Sequence, residues 1–267
     1  MDLSIIIVNY KSKIKLENCL VSILNGKLQN TNYEIIVIEN NSGDDLADLE
    51  VKFSNVKIIL SEHNLGMGGG NNLGIKAATG EYVLILNPDT VLREGAIDIL
   101  LSYLKNNLRV GLVGPKLLYP DGTLQLSCSR FPNFFIPILR RTFLGEYFKK
   151  IRDSFMMKDF DHNSIREVDW LMGSCLMFKK NQVDNEGKSF SPSFDERYFM
   201  YFEDTDLGRT FKSRGLKVVY NPEAVVIHDH ARESAKHSWY IAIFTDKITW
   251  IHIESWLKYF IKWGFKL

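Results

Sequence analysis

The hydrophobic pattern in the first half of the chain alternates between short apolar runs and stretches with helical spacing. Four apolar runs have the length and composition of buried strands: residues 3–8, 33–38, 56–60 and 82–86. After the first run, apolar side chains from Leu16 to Leu24 recur at helical spacing, and Gly26 is a suitable helix end. Strands that alternate with helices indicate βαβ units, a parallel sheet and right-handed crossovers.

The second half of the chain predicts longer strands and more irregular connections. A helix at about 93–105 precedes a strand at 110–119, a turn at 120–123 and a partner strand at 124–129. We expect a helix from Glu203 to about Ser213, followed by strands at 217–220 and 224–230. From Trp239 onward the sequence is helical, aromatic and basic.

Composition narrows the class of protein. The 267 residues, 45% hydrophobic and 24% charged, suit one large domain or one domain with an appendage. A net charge of +1 gives no reason to expect a nucleic-acid partner. The three cysteines are far apart, which indicates neither a disulfide framework nor a zinc site and fits a reducing compartment. Without a signal-peptide pattern or a run long enough to span a bilayer, we expect a cytoplasmic protein.

The fourth strand ends abruptly at Asn87-Pro88-Asp89. Proline cannot donate to a sheet and forces the preceding residue toward extended backbone, so Asp89 is predicted at the carboxyl end of a central strand. Ligands of open α/β sheets bind at such ends, and a hard oxygen there suits Mg²⁺ or Mn²⁺ carrying a phosphate. The alternative is a turn in which Asp89 or Thr90 caps the next helix.

Polar residues follow each of the four predicted strands. Since parallel strands end at the same edge of a sheet, these side chains are expected to converge there. The converging positions are Asn9, Tyr10, Glu39, Asn40, the segment from Asn64 through Gly66 to Asn72, Asn87 and Asp89.

A glycine-rich segment at 64–74 precedes a helix predicted at 71–79. It follows the third strand rather than the first and lacks Gly-Lys-Ser/Thr, which excludes a dinucleotide fingerprint and a P-loop. The glycines and amides favour close approach of the backbone to an anionic or polar ligand, with a flexible turn as the alternative.

The segment 194–209 places five acidic residues among aromatic ones. Glu203, Asp204 and Asp206 begin the predicted helix, where helix capping would account for one or two of them. The aromatic surroundings lower the local dielectric and make a carboxylate more basic. Such a carboxylate can take the proton of a hydroxyl group that acts as a nucleophile.

These motifs, in this order, resemble the family-2 glycosyltransferases over nearly the whole chain, and in particular their rhamnosyltransferase branch. The resemblance implies an α/β GT-A fold, in which a single Rossmann-like, mostly parallel sheet merges with an acceptor-binding half. It also implies a nucleotide-sugar donor, Mn²⁺ or Mg²⁺, and inversion at the anomeric carbon. We therefore predict a catalytic domain at 1–235, with a nucleotide-sugar-binding half at 1–107 and an acceptor and catalytic-base half at 108–235. A helical tail follows at 236–267.

The resemblance also implies roles for individual residues. Asp204 matches the catalytic base, while Asp89 matches the last acid of the family's Asp-x-Asp metal motif, whose first acid is replaced by Asn87. His228 matches a histidine that ligates the metal or touches the diphosphate, although a lone histidine is more often structural. Glu39 stands where aspartate is more usual. Asn9, Glu39, Asn40 and Asn72 would surround the nucleotide, and Trp170, Gly173 and Glu203 would face the acceptor.

Two further features concern surfaces and phosphate. The aromatic and basic segment at 131–160 is either a helical excursion with a solvated basic face or an element that contacts an anionic membrane or the acceptor cleft. The tail suits contact with the inner face of the cell membrane or a dimer seam. His230, Arg232 and Ser234 are a further candidate phosphate site.

The predicted function is transfer of a sugar, with dTDP-rhamnose as the first donor to test and a UDP- or other dTDP-sugar otherwise. The expected acceptor is a hydroxyl of a glycan or a lipid-linked molecule in surface polysaccharide synthesis. The alternatives are a sugar nucleotidyltransferase and a non-catalytic nucleotide-sugar-binding subunit. The first strand lacks the glycine- and lysine-rich loop that a nucleotidyltransferase needs, and a binding subunit has no use for a base.

Overall fold

A computed structural model describes residues 1–26, 28, 31–229 and 246–265. The helices within these ranges are α1 (Lys13–Asn25), α2 (Ala47–Lys52), α3 (Gly66–Ala77), α4 (Ala96–Asn106), α5 (Ile136–Arg141), α6 (Leu144–Tyr147), α7 (Lys149–Phe155), α8 (Glu203–Ser213) and α9 (Lys247–Trp263). The strands are β1 (Leu3–Asn9), β2 (Tyr33–Glu39), β3 (Val56–Leu60), β4 (Tyr82–Leu86), β5 (Thr90–Leu92), β6 (Val110–Leu118), β7 (Leu124–Gln125), β8 (Cys128–Ser129), β9 (Arg166–Val168), β10 (Trp170–Leu171), β11 (Cys175–Lys179), β12 (Gln182–Val183), β13 (Ser189–Phe190) and β14 (Lys217–His228).

One central sheet with the order β3-β2-β1-β4-β11-β6-β14-β5 organises the molecule. Strands β1 to β4 pair in parallel, as do β6 and β14. Strand β11 lies antiparallel between β4 and β6 and so joins the two halves of the sheet. The predicted mostly parallel α/β sheet with a C-terminal helix is confirmed. The domain boundaries at 107 and 235 stay predictions, and the second lies outside the described residues.

The central strands are buried on both faces. Leu3, Ile5 and Ile7 of β1 join the core on one side of the sheet, while Ile6 and Val8 join the core on the other. Because both faces are covered, β1 reads as a continuous apolar run rather than an alternating one. Because β1, β2 and β4 are parallel and in register, the polar residues that follow them lie at one edge of this core.

The glycine-rich segment forms a helix, so the predicted turn before residue 71 is wrong. Helix α3 begins at Gly66, whose φ of +71° is an unfavourable backbone angle for other residues. A Cβ on Gly66 would meet the backbone of Phe199, and one on Gly70 would lie 2.9 Å from Val8 Cγ1. These glycines therefore permit α3 to pack closely against β1 and the chain near Phe199.

A short strand absent from the sequence prediction follows Asp89. Strand β5 pairs antiparallel with the end of β14, so that Thr90 lies opposite His228. The next helix, α4, begins only at Ala96 and has no side-chain cap, which excludes the capping role considered for Asp89 and Thr90. The predicted strand at 124–129 is also divided, because β7 pairs with β6 and β8 pairs with β10.

Helix α9 packs against the segment that leads into α8. Its Tyr259 and Phe260 form a buried cluster with Tyr198 and Phe202. Ser255 Oγ donates to the carbonyl of Met200 at 2.9 Å, which fixes the helix beside the segment leading into α8. No helix in the described ranges is long and apolar enough to cross a membrane.

Candidate active site

The turn after β4 brings Asp89 next to His228. Thr90 Oγ1 donates to the carbonyl of Asn87 at 2.7 Å, closing the turn that the Asn-Pro-Asp-Thr sequence predicts. The amide of Asp229 donates to the carbonyl of Asp89 at 2.9 Å and joins this turn to the end of β14. As a result, Asp89 Oδ1 lies 3.3 Å from His228 Nε2. The structure thus brings together two residues that are 139 positions apart in the printed sequence.

Gln125 fixes the orientation of His228. Its side-chain oxygen lies 2.7 Å from His228 Nδ1, and because an amide oxygen only accepts, Nδ1 carries a hydrogen. This contact turns Nε2 of the imidazole toward the Asp89 carboxylate. Ligating histidines are commonly oriented by such a partner on the second nitrogen.

Asp89 and His228 fit a divalent cation. Asp89 Oδ1 is buried without a hydrogen-bond partner among the described residues. Adjacent ligands of an octahedral Mg²⁺ or Mn²⁺ lie about 3 Å apart, since each bond is about 2.1 Å long. The 3.3 Å separation of the two atoms matches this value. The described residues contain no cluster of three or more His, Cys, Asp or Glu suited to a metal, so within them Asp89 and His228 would supply two ligands.

The ionisation of Asp89 suits this role. Burial alone would raise its pKa, but the adjacent His228 side chain, helped by Lys15, holds the pKa of Asp89 below its usual value. The carboxylate is therefore ionised at neutral pH. An ionised oxygen is the form that a hard cation binds.

Asp204 is held in place by three hydrogen bonds from its surroundings. Its Oδ2 accepts from the amide of Gly173 at 3.0 Å, and its Oδ1 accepts from the amide of Thr205 at 2.6 Å and from Thr205 Oγ1 at 3.2 Å. The next carbonyl along, that of Ser174, accepts from the amide of Asn87 at 2.9 Å. Through Gly173 and Ser174, Asp204 is thus tied to the turn that carries Asp89.

Glu203 and Asp204 form a coupled pair of half-buried carboxyl groups. Burial, and then the charge of Asp204, raise the pKa of Glu203 to about 8. Burial also raises the pKa of Asp204, but the hydrogen bonds from Gly173 and Thr205 oppose that shift. Hydrogen bonds to a carboxylate favour its charged form, so at neutral pH Asp204 holds the charge and Glu203 holds a proton. The two neighbouring acids can therefore play different parts.

The backbone immediately before this pair is strained. Tyr201 and Phe202 have φ values of +70° and +66°, which are uncommon for aromatic residues. Phe202 packs against Tyr259 of α9 with ring centroids 5.2 Å apart, and Phe202 is buried. Packing against α9 therefore offsets the unfavourable backbone angles that precede Glu203 and Asp204.

The ends of β1 and β2 form a second polar region. Asn9 is fully buried, and its Nδ2 donates to Asp44 Oδ2 at 2.9 Å while its Oδ1 has no partner in the described part of the chain. Glu39 accepts hydrogen bonds from the amide and hydroxyl of Ser42. Tyr10 is 44% exposed at the rim. These groups present oxygen acceptors to a ligand that offers N–H or O–H donors.

Three predicted nucleotide residues make internal hydrogen bonds. Asn40 donates to Asn64 Oδ1 and to the carbonyl of Gly66, both at 3.1 Å, and accepts from Leu65 at 2.9 Å. Asn72 exchanges hydrogen bonds with the backbone of Phe194 at 2.8 Å in each direction. In this structure these amides brace the loop before α3 and the segment before α8, and their contact with a nucleotide stays a prediction.

Trp170 lies beside α8 rather than free in the cleft. Its Nε1 donates to the carbonyl of Arg130 at 2.9 Å, and a Cβ on Gly208 of α8 would lie 2.8 Å from Trp170 Cβ. The ring is half-buried. Gly173, in contrast, contacts Asp204 directly. The candidate phosphate site at His230, Arg232 and Ser234 lies outside the described residues.

Buried polar atoms without partners mark the centre of the site. Some atoms of this kind in the described ranges lie elsewhere, such as Asn221 Nδ2 and Trp256 Nε1, but five lie at the ends of β1 and β4, before β11 and at the start of α8. These five are Asn9 Oδ1, Asn87 Oδ1, Asp89 Oδ1, Ser174 Oγ and Glu203 Oε2. Buried polar groups are normally hydrogen-bonded, so these atoms indicate a polar ligand along the edge.

Sequence reasoning missed Asp44, Gln125 and Ser174. Asp44 belongs to a turn that the sequence marks as polar, and its bond to Asn9 arises only when β1 and β2 lie side by side. Gln125 and Ser174 lie on short segments whose neighbours are set by the fold, and no local pattern identifies them.

The family comparison gives a match over most of the chain. The model described as Glycosyl transferase family 2 matches residues 4–164. An N-acetylglucosaminyl-diphospho-decaprenol L-rhamnosyltransferase of Mycobacterium tuberculosis is 31% identical over 216 residues, covering 76% of this chain and 68% of that protein. Rhamnosyltransferase WbbL of Escherichia coli is 25% identical over 236 residues, covering 85% of this chain and 81% of that one.

A solved structure shares the fold. A mannosyltransferase of Pyrobaculum calidifontis, in complex with GDP-Man and Mn²⁺, superimposes with a TM-score of 0.56 and 16% sequence identity. The match covers 87% of this chain and 58% of that one. The chain therefore has the GT-A sheet, and it spans about two thirds of the length of the first relative and less of this structure.

Proposed function

The chain belongs to glycosyl transferase family 2, and we propose that it is an inverting enzyme that transfers a sugar from a nucleotide-diphosphate sugar to a hydroxyl group. The proposed acceptor is a glycan or lipid-linked molecule in surface polysaccharide synthesis. The observation that carries the proposal is a pair of hydrogen bonds that connects Asp204 with the turn of Asp89. The amide of Gly173 donates to Asp204, and the carbonyl of the next residue, Ser174, accepts from the amide of Asn87. A candidate base and a candidate diphosphate-side carboxylate thereby face one cleft.

The first donor to test is dTDP-rhamnose. The names of the two relatives, both rhamnosyltransferases, support this choice. The unpartnered Asn9 oxygen and the acceptor groups near Glu39 suit the N–H and O–H groups of a nucleoside. A UDP-sugar or another dTDP-sugar offers the same groups, so the experiment compares them directly.

Asp89 and His228 would hold Mn²⁺ or Mg²⁺ together with the donor diphosphate. When bound, the cation would supply positive charge that stabilises the departing diphosphate. Gln125 keeps His228 Nε2 directed at this position, and the ionised Asp89 supplies the oxygen ligand. The chain needs no general acid at the leaving group in this arrangement.

Asp204 is the proposed base. Its carboxylate takes the proton of the acceptor hydroxyl while the hydroxyl oxygen attacks the anomeric carbon, and the bond from that carbon to the diphosphate oxygen breaks. A single in-line displacement of this kind inverts the anomeric configuration. Glu203, protonated at neutral pH, can donate a hydrogen bond that orients the acceptor.

The test combines donor binding with transfer. Thermal shift with dTDP- and UDP-sugars, with and without Mn²⁺, measures binding because a ligand of the folded state raises apparent stability. Asp204→Asn should lower the transfer rate by about 10²–10⁴-fold, the usual contribution of a general base, and leave the thermal shift with donor nearly unchanged. Wild-type transfer by Asp204→Asn would refute the base assignment, and a shift only with triphosphates would refute the donor class.

A further inference from the structure

The helices α5 to α7 and the outer side of α9 expose an unusual amount of aromatic surface. Phe143, Tyr147 and Phe148 lie within a single short stretch, and Tyr147 is 81% exposed. Scattered apolar residues on a surface are ordinary, but contiguous ones mark an interaction site. We propose that this aromatic and basic surface docks onto an anionic lipid bilayer.

Helix α9 is apolar on two opposite sides. Tyr259 and Phe260 point into the catalytic half and are buried. Trp250, Leu257 and Ile261 recur at intervals of seven and four residues, which places them on one side of the helix, and all three are exposed. The same side also carries the ion pair of Glu254 and Lys258, and the three exposed apolar residues around this pair indicate a second contact of the helix.

The exposed parts of α9 and of the α5–α7 segment adjoin each other. Phe134, just before α5, stacks against Trp256 of α9 with ring centroids 4.5 Å apart. It also contacts Phe265 at 5.3 Å and the exposed Phe135 at 5.7 Å. The two aromatic groups therefore belong to one continuous region of the protein.

Positive charge accompanies the aromatic residues. Residues 131–160 contain six lysines and arginines and three acidic residues, whereas the whole chain has a net charge of only +1. Lys149 and Lys150 are exposed and follow directly after Tyr147 and Phe148. Aromatic rings favour the headgroup level of a bilayer, and adjacent lysines favour anionic lipids.

A bilayer fits this surface better than a second copy of the chain. A two-fold symmetric dimer places a surface against itself, so the lysines of one copy would approach those of the other. An anionic bilayer complements the same charges. The proposal does not depend on the proposed function, because lipid binding needs neither nucleotide sugar nor catalysis.

The experiment is flotation of the full chain with vesicles, without nucleotide or metal. One set of vesicles contains phosphatidylcholine alone, and the other also contains phosphatidylglycerol, each over a series of salt concentrations. Two variants test the surface, Lys149→Gln/Lys150→Gln and Trp250→Ser/Ile261→Ser. Matched controls change exposed residues elsewhere, Lys57→Gln/Lys188→Gln and Val51→Ser/Leu108→Ser.

We expect binding only to the anionic vesicles, and weaker binding as salt increases. Each lysine near an anionic surface contributes about fivefold to the partition coefficient, so the double lysine variant should bind roughly 30-fold more weakly. The Trp250/Ile261 variant should lose tenfold or more because it removes buried apolar contact, estimated at about 25 cal/mol per Å². The controls should bind as the wild type.

Three results would overturn the proposal. One is failure of the wild type to bind anionic vesicles at low salt. Another is equal binding by both surface variants and the wild type. The third is a stable dimer in light scattering that the Trp250/Ile261 variant abolishes, since the outer side of α9 would then be a seam between two copies. Circular dichroism of each variant verifies that it is folded.

Discussion

Lys262 of α9 forms ion pairs with Asp195 and Asp206 in the part of the chain around the start of α8. We therefore expect Lys262→Met to destabilise the protein. Lys262 Nζ lies 2.7 Å from Asp206 Oδ2 and 2.8 Å from Asp195 Oδ2. Asp206 is 2% exposed and follows the proposed base Asp204 by two residues. Without the ammonium group, its buried carboxylate retains hydrogen bonds from Trp263 at 2.6 Å and Tyr198 at 3.2 Å.

The expected loss follows from these contacts. Removing one partner of a fully buried ion pair costs about 3–5 kcal/mol, because a charge remains without its counterion. The Lys262 side chain is 24% exposed, and the two remaining donors stabilise Asp206 in part. We therefore expect the free energy of unfolding to fall by about 2–3 kcal/mol.

The same substitution should reduce the loss of unfolding free energy that occurs when the pH is lowered. Arg197 first, and Lys262 with it, hold the pKa of Asp195 well below its usual range. A depressed pKa contributes stability above the pKa of the unfolded state, and this stability is lost as the pH falls. With one of the two cations removed, the variant should lose less stability on acidification than the wild type.

Urea unfolding followed by circular dichroism measures the change, with Lys258→Met as the control. Lys258 pairs with the exposed Glu254 and binds a backbone carbonyl, so its loss should cost less than about 1 kcal/mol. In the double variant Asp206→Asn/Lys262→Met the uncompensated charge is gone, and part of the stability should return. Equal stability of Lys262→Met and Lys258→Met would refute the reasoning.

Two further predictions concern the site itself. Burial and Asp204 raise the pKa of Glu203 from 4.5 to about 8, so the stability that this group contributes is full below its unfolded pKa and is lost as the pH rises toward and through 8. Glu203→Gln should therefore flatten the pH dependence of the melting temperature between 4.5 and about 8, and an unchanged curve would contradict the shift. Gln125→Leu removes the acceptor that lies 2.7 Å from His228 Nδ1. It should weaken Mn²⁺ binding about 10–100-fold, measured by titrating the metal in a donor-binding assay. The control Ser127→Ala changes a nearby buried residue and should leave Mn²⁺ binding unaltered.

The sequence predicts the strands well because their signal is local. The runs at 56–60 and 82–86 match β3 and β4 residue for residue, since each is apolar and bounded by residues that cannot continue a strand. Helix α8 likewise begins at Glu203 and ends at Ser213, as its acidic start and apolar spacing predict. The meeting of Asp89 and His228 follows from the resemblance and not from any local pattern.

The predicted turn in the glycine segment is wrong for a physical reason. Glycine disfavours a helix in isolation, so a run of glycines predicts a turn. Here close packing of Gly70 on Val8 and of Gly66 on Phe199 outweighs that preference. Such packing is tertiary, and the sequence alone does not reveal which surfaces will meet.

The sequence pattern also does not predict the internal hydrogen bonds that Asn40 and Asn72 make. A polar residue after a strand predicts contact with a ligand, but both amides are engaged by the protein's own backbone. Their neighbours, Leu65 and Phe194, come from distant parts of the chain. Strand β5 was missed because three residues between a turn and a helix carry too little signal.

The pairing of strand β11 with β4 limits the positions at which residues can be inserted into the chain. The pairing of Cys175 with Leu86 sets where Gly173 and Ser174 fall relative to Asn87. Insertion of one residue at Gly173 or Ser174 would shift the backbone amide that holds Asp204. Variation in loop length should therefore be confined to the turns at 119–123 and 184–188, where added residues leave this spacing intact.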